Sequence, residues 1–172
     1  DGKTIAYVGA RVDGPDAHDV FVLPAAGGAA RNLTASSLDK PVSQPKWIDN
    51  QSIATHVARG FGSALAVVGL DGRAQTIDGL GVNPSAFTVA RGRESSSDKY
   101  TRPLFAYVGE TATKAPELWI KTPGAVARAV TTFNQQWASI PIVAPEFVKY
   151  KSFDGVEIEA ALLQPPATSS QS

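Results

Sequence analysis

The chain has 172 residues, 43% of them hydrophobic, and its 16 Lys and Arg balance 16 Asp and Glu. A net charge of zero leaves no electrostatic footprint for nucleic acid or an anionic membrane surface. The absence of cysteine excludes disulfides, thiolate metal sites and cysteine nucleophiles, and leaves the redox compartment unmarked. No apolar run approaches about 20 residues, so no membrane-spanning helix is expected, and the N-terminus does not resemble a signal peptide.

Asp1-Gly2-Lys3-Thr4 has the composition of a tight turn feeding a strand at Ile5-Ala6-Tyr7-Val8. A polar loop follows, and its Gly14-Pro15 makes helix unfavourable; Asp19-Val20-Phe21-Val22-Leu23 is a second β-branched run. Ala26-Gly27-Gly28 breaks the chain, and Arg31-Asn32-Leu33-Thr34 closes the unit. These are the outer three strands of a β-propeller blade, whose innermost strand would lie before residue 1. A weaker copy runs through Ile53 to Val57, Ala64 to Val68 and Gln75 to Ile77, with its inner strand near Gln44 to Ile48. A third has its inner strand over Pro84 to Ala90. It continues through Phe105-Ala106-Tyr107-Val108-Gly109, which repeats the Ala-Tyr-Val-Gly of residues 6 to 9, then Glu117 to Lys121 and Ala127 to Thr131. Starts at residues 5, 53 and 105 give a period of roughly 50, as in propeller repeats.

The fold expected is all-β: a partial β-propeller of about three four-stranded antiparallel blades over residues 1–137, followed by a β-hairpin. Propellers close with about four to eight blades, so three are part of a ring. The chain begins at Asp1 and contains no Met, which fits an internal piece of a longer protein. Pro141 and Pro145 mark a linker over 138–146. Phe147 to Phe153 then pairs across Asp154-Gly155 with Val156 to Leu163, whose Val156, Ile158 and Ala160 alternate with Glu157 and Glu159. The hairpin is assigned 147–166 and a frayed tail 167–172.

Other motifs carry less chemistry. Asn32-Leu33-Thr34 and Asn50-Gln51-Ser52 match a glycosylation sequon, but so short a pattern recurs by chance, and Leu33 reads as a core contact. Gly60-Phe61-Gly62-Ser63 lacks the third glycine of a phosphate-cradling loop and reads as a hairpin, as does Leu70-Asp71-Gly72-Arg73, to which a type I′ turn is assigned. Trp47 and His56 read as core residues. Two histidines with no ligand spacing support no metal site, and no cofactor is expected. No Gly-x-Ser-x-Gly elbow occurs, and a triad from Ser63 with His18 or His56 would have to assemble between hairpins. The insertion from Arg91 to Arg102 has the composition of a mobile loop and reads first as a solvated hairpin tip; since long loops also carry binding residues, Arg91, Arg93, Lys99 and Arg102 are the candidate contacts to an acidic group of a substrate or partner.

The stretch from Pro145 to Pro166, with Phe147-Val148-Lys149-Tyr150-Lys151-Ser152-Phe153-Asp154-Gly155 at its centre, closely resembles a junction in the prolyl oligopeptidase family of serine peptidases, especially its acylaminoacyl-peptidase and dipeptidyl-peptidase-like branches. There the chain leaves an N-terminal propeller and enters an α/β-hydrolase domain by its first hairpin. Asp1-Gly2-Lys3, Ile5-Ala6-Tyr7 and Asn32-Leu33-Thr34 also resemble the TolB-type propeller repeat. Ala160-Ala161 departs from the glycine and aromatic usual in the peptidases, and the family's catalytic serine, aspartate and histidine fall beyond Ser172. The resemblance implies a non-catalytic part of a serine peptidase whose propeller controls the access of peptides or acyl-peptides. Its implied partners are the missing hydrolase domain, the remaining blades and the peptide substrate; open blade edges would also favour self-association. A TolB-like protein-binding module without enzymatic activity is the alternative, and the hairpin after Pro145 discriminates the two.

Overall fold

The computed structural model describes residues 1–14, 16–91 and 103–165. Its described residues form an all-β, partial propeller. Strands β1 (Thr4–Ala10), β2 (His18–Pro24) and β3 (Arg31–Asn32) make a three-stranded sheet in that order. Strands β4 (Val42–Trp47), β5 (Ser52–Arg59), β6 (Gly62–Gly69) and β7 (Ala74–Thr76) make the second blade. Strands β8 (Asn83–Ala90), β9 (Leu104–Thr111), β10 (Lys114–Lys121) and β11 (Arg128–Ala129) make the third. A single 3-10 turn at Gln135–Trp137 leads into the hairpin of β12 (Glu146–Lys151) and β13 (Glu157–Leu162).

Registers make the blades superposable copies. Val8 pairs with Val20, His56 with Leu65 and Val108 with Leu118. The next residue outward closes each blade by the same bond: Leu33, Ile77 and Val130 donate their amides to the carbonyls of Val20, Leu65 and Leu118, each at 2.8 Å. Two apolar cores lie between the blades. Val20 and Leu33 of the first blade pack with Ile53 and Val57 of the second, whereas Ala54 and Leu65 of the second pack with Phe105 and Tyr107 of the third.

The repeated Ala-Tyr-Val-Gly has a steric cause. Side chains two apart on a strand share a face, so the glycine leaves room for the tyrosine ring. A Cβ on Gly9 would stand 3.3 Å from Tyr7 Cε2, and one on Gly109 3.2 Å from Tyr107 Cε2 and 2.3 Å from Val82 Cγ2. Tyr7 stacks on its cross-strand partner Phe21 with ring centroids 5.4 Å apart. Tyr107 is buried, donates to the Leu80 carbonyl at 2.7 Å, and has its pKa raised by burial to about 12.

An acid and a threonine clasp the outer strands. Fully buried Asp19 accepts from Thr34 Oγ1 at 2.8 Å, Asn32 Nδ2 at 2.9 Å and Arg11 Nε at 2.7 Å, while Thr34 Oγ1 accepts the Val20 amide. Burial works to raise the Asp19 pKa, but the bonds from Arg11, Asn32 and Thr34 outweigh it and hold the carboxyl below its usual value. The third blade repeats the device: Thr131 Oγ1 donates to Glu117 and accepts the Leu118 amide at 2.9 Å. That bond, opposed by burial and aided by the Asn134 and Phe133 amides, lowers the Glu117 pKa. The second blade has buried Ala64 where the others have an acid, opposite Val57, so the same position is solved with apolar packing. Asn32, bonded to Asp19 through Nδ2 and beside fully buried Thr34, is part of this clasp.

Two local expectations need correction. The turn at Leu70–Arg73 is not type I′: Gly72 has positive φ and Asp71 does not, and Gly72 N donates to Gly69 O, giving a three-residue loop with a left-handed glycine. Trp47 is not core: it ends β4 and is 37% exposed, lining a surface pocket beside Gly2 and Thr4 of the first blade. The hairpin forms as expected, with Ile158 and Leu162 of β13 exposed.

Candidate functional site

Strand direction alternates within each blade, so the connections fall at two ends of the arc. The β1–β2, β5–β6 and β9–β10 turns share one end, together with the crossovers between blades. The β4–β5, β6–β7, β8–β9 and β10–β11 connections share the other. The hairpin rests on the first end: Phe147 stacks on Phe61 of the β5–β6 turn with centroids 5.4 Å apart and planes at 29°. Gly60, at φ +56, lets the Glu159 carboxylate approach so closely that a Cβ would meet it at 3.0 Å.

Beside that turn, the inner strands of the second and third blades are tied by polar side chains. Both carry a bulge, β4 between Ser43 and Lys46 and β8 between Pro84 and Ala86. The Pro84 carbonyl accepts Ser63 Oγ–H at 2.6 Å and the His56 Nε2–H at 2.8 Å. That leaves His56 Nδ1 as the acceptor of the Ser43 hydroxyl at 3.3 Å, a tautomer assigned from this network. Gln44, held at φ 54, donates Nε2–H to the Ser85 carbonyl at 3.0 Å.

This arrangement clamps one inner strand to the next; it does not activate a nucleophile. The Ser63 proton is committed to a carbonyl, and a hydroxyl rather than a carboxylate stands behind His56, so no base is oriented toward the serine. His18, exposed at the start of β2, belongs to another blade. His56 is half-buried and hydrogen-bonded as expected. Among the described residues, no group of three His, Asp or Glu lies where it could hold a metal, and no helix is long and apolar enough to cross a membrane.

A cavity of about 620 Å³ lies between the outer parts of the second and third blades, lined by Asp49, Asp71, Asp78, Lys121, Ile77 and Pro103. Two of its carboxylates end turns: Asp49 accepts the Gln51 amide and Ser52 hydroxyl at 2.8 Å, and Asp71 the Arg73 amide at 3.0 Å. Arg91 directly follows β8, at the end of the arc away from Phe61 and the hairpin. Arg93, Lys99 and Arg102 lie outside the described residues. Sequence reasoning missed the acid–threonine clasp and the Phe61–Phe147 seat. The first had a signal in the shared Leu-Thr and Val-Thr closings at 33–34 and 130–131, each paired with an acid heading the preceding run.

No protein-family model matches the sequence, nor does any curated protein. Solved structures resemble the fold over almost its whole length, two acylaminoacyl peptidases among them. Pyrococcus horikoshii acylaminoacyl peptidase, in an orthorhombic crystal form, matches with a TM-score of 0.70 and 19% identity over 99% of this chain. An acylaminoacyl peptidase in complex with Z-Gly-Gly-Phe-chloromethyl ketone matches with a TM-score of 0.65 and 19% identity, also over 99%. The likeness is one of fold. The chain spans 25% of the length of either protein.

Proposed function

We propose that this chain is the non-catalytic propeller portion of a serine peptidase of the prolyl oligopeptidase family, restricting which peptides or acyl-peptides reach a hydrolase domain. The observation that carries the reading is the hairpin. Its register puts Val148, Tyr150, Ile158, Ala160 and Leu162 on one face with Glu146 at its edge, and Phe147 and Ala161 with Lys149, Lys151, Glu157 and Glu159 on the other. The mainly charged face leans on the propeller through Phe147 and carries the Lys149–Glu157 ion pair at 2.9 Å. Tyr150, Ile158 and Leu162 on the apolar face are exposed. A two-stranded hairpin is marginal alone, so an apolar face turned from the blades supports a seat for the α/β-hydrolase domain. The fold likeness, which extends over this hairpin, supports the same reading.

In this reading the parent cleaves peptide bonds by acyl transfer through a serine outside these residues. Arg91, Arg93, Lys99 and Arg102 would meet acidic groups of a substrate or partner. The test is to read the coding sequence past Ser172. An open frame carrying Gly-x-Ser-x-Gly, then Asp and His, is expected, and the longer polypeptide, unlike this chain, should be labelled by a fluorophosphonate. A stop codon, or a further blade in place of the elbow, would overturn the reading in favour of a TolB-like binding module.

A further inference from the structure

The inner strands β4 and β8 stand side by side across an interface built wholly inside the chain. In a propeller the innermost strand of each blade borders the central channel. Along that border two rungs link the strands. Gln44 Nε2 donates to the Ser85 carbonyl at 3.0 Å, and Lys46 Nζ sits 5.6 Å from the centre of the buried Phe87 ring. Gln44 and Ser85 are exposed, and Lys46 is half-buried. Val42 pairs with Val57 and Trp47 with Ile53, so Gln44 is the rung nearer the hairpin end and Lys46 the rung further in.

The tie between the strands leaves two features of these rungs unexplained. Gln44 holds φ 54 inside the β4 bulge, a conformation that glycine adopts without a steric cost, yet a long polar side chain stands there. One of its amide hydrogens makes the Ser85 bond, while the carboxamide oxygen and the second N–H have no partner among the described residues. Lys46 forms no ion pair among the described residues, and its ammonium has only the face of Phe87. A ring face attracts a cation without neutralising it.

One wall of the channel thus offers a positive charge with spare donors and, one rung closer to the hairpin, a carboxamide that both donates and accepts. Ser85 and Phe87 are two residues apart on β8, about 7 Å of extended chain. A peptide lying along the strands with a carboxylate at Lys46 therefore brings one of its peptide groups to Gln44.

We propose that Lys46 seats the carboxylate of a short peptide and that Gln44 holds a neighbouring peptide group, so that the preceding residues run toward the end where the hairpin sits. That the ligand is a peptide rests on the peptidase reading; the carboxylate seat rests on the two rungs. A chain end and an acidic side chain offer the same chemistry, and the test separates them.

Titration of the isotope-labelled chain with N-acetyl-trialanine, followed through the Gln44 side-chain amide and the Phe87 ring, reads the site without catalysis. The free acid should bind about tenfold more tightly than its C-terminal amide, as the loss of one charged hydrogen bond requires. N-acetyl-Ala-Glu-Ala amide should match the amide where the seat takes a chain end, and the acid where it takes an acidic side chain. Lys46→Gln should abolish the preference and Lys46→Arg retain it. Gln44→Gly, which suits φ 54, should weaken the acid several-fold with an unchanged far-ultraviolet spectrum. Equal affinity of the free acid and both amides, a preference that survives Lys46→Gln, or full affinity in Gln44→Gly would each overturn the proposal. The titration needs no hydrolase domain, so its failure leaves the peptidase reading standing, and a stop codon after Ser172 leaves the measured affinity unchanged.

Discussion

Truncating Asp19 to alanine tests whether the acid–threonine clasp holds a blade together. The carboxylate is fully buried and receives Arg11, Thr34 and Asn32 at 2.7, 2.8 and 2.9 Å. Without it Thr34, also fully buried, keeps the Val20 amide but loses the acceptor for its own proton. Arg11 is partly exposed and retains Asp39 at 3.2 Å, so it can return to water. Breaking a buried charge pair costs about 3–5 kcal/mol, and the solvated arginine sets the lower end, about 3 kcal/mol. For a chain of this size that lowers the thermal midpoint by roughly 6–12 °C. The Asp19 pKa is depressed in the folded state, so its contribution is present above the unfolded value of about 3.9. It is lost as pH falls through the folded value, and the gap between parent and Asp19→Ala should narrow on acidification. Urea unfolding at neutral pH and near pH 3 measures both effects. A gap under about 0.5 kcal/mol at neutral pH, or one indifferent to pH, would refute the reasoning.

Gly109→Ala forces a Cβ to 2.3 Å from Val82 Cγ2 and should cost about 3 kcal/mol, the top of the overpacking range. Gly9→Ala, whose nearest neighbour is a ring edge at 3.3 Å, should cost clearly less, and equal melting shifts would contradict the steric reading. Phe61→Ala removes a ring pair worth about 0.5–1.5 kcal/mol. Amide exchange in β12 and β13 and proteolysis in the linker should speed up while the blades melt as before; unchanged exchange would count against the seat. Ser63→Ala leaves His56 on the Pro84 carbonyl and should cost about 1 kcal/mol without affecting peptide hydrolysis by a longer polypeptide, whereas abolished hydrolysis would make Ser63 a nucleophile.

The features legible in the sequence are those coded locally. Period-two runs and glycine breaks placed the strands, and the Ala-Tyr-Val-Gly repeat is legible because a glycine two residues from a tyrosine solves the same steric problem in two blades. What escaped depends on residues far along the chain. Asp19 heads an apolar run and reads as a surface carboxylate until Thr34, fifteen residues later, meets it. Phe61 reads as a turn residue until Phe147 stacks on it. Burial is the clearest case. Leu65 and Leu118 hold the same register position, yet one is fully buried and the other is 39% exposed, because only Leu65 has a following blade beside it among the described residues. A strand pattern encodes the capacity to form an interface, while occupancy depends on what lies alongside. For a repeat fold, exposed residues at core-type positions are therefore the most informative among the described residues: Leu118 in the third blade, and Ile5 and Tyr7 in the first, stand where their counterparts in the other blades are buried.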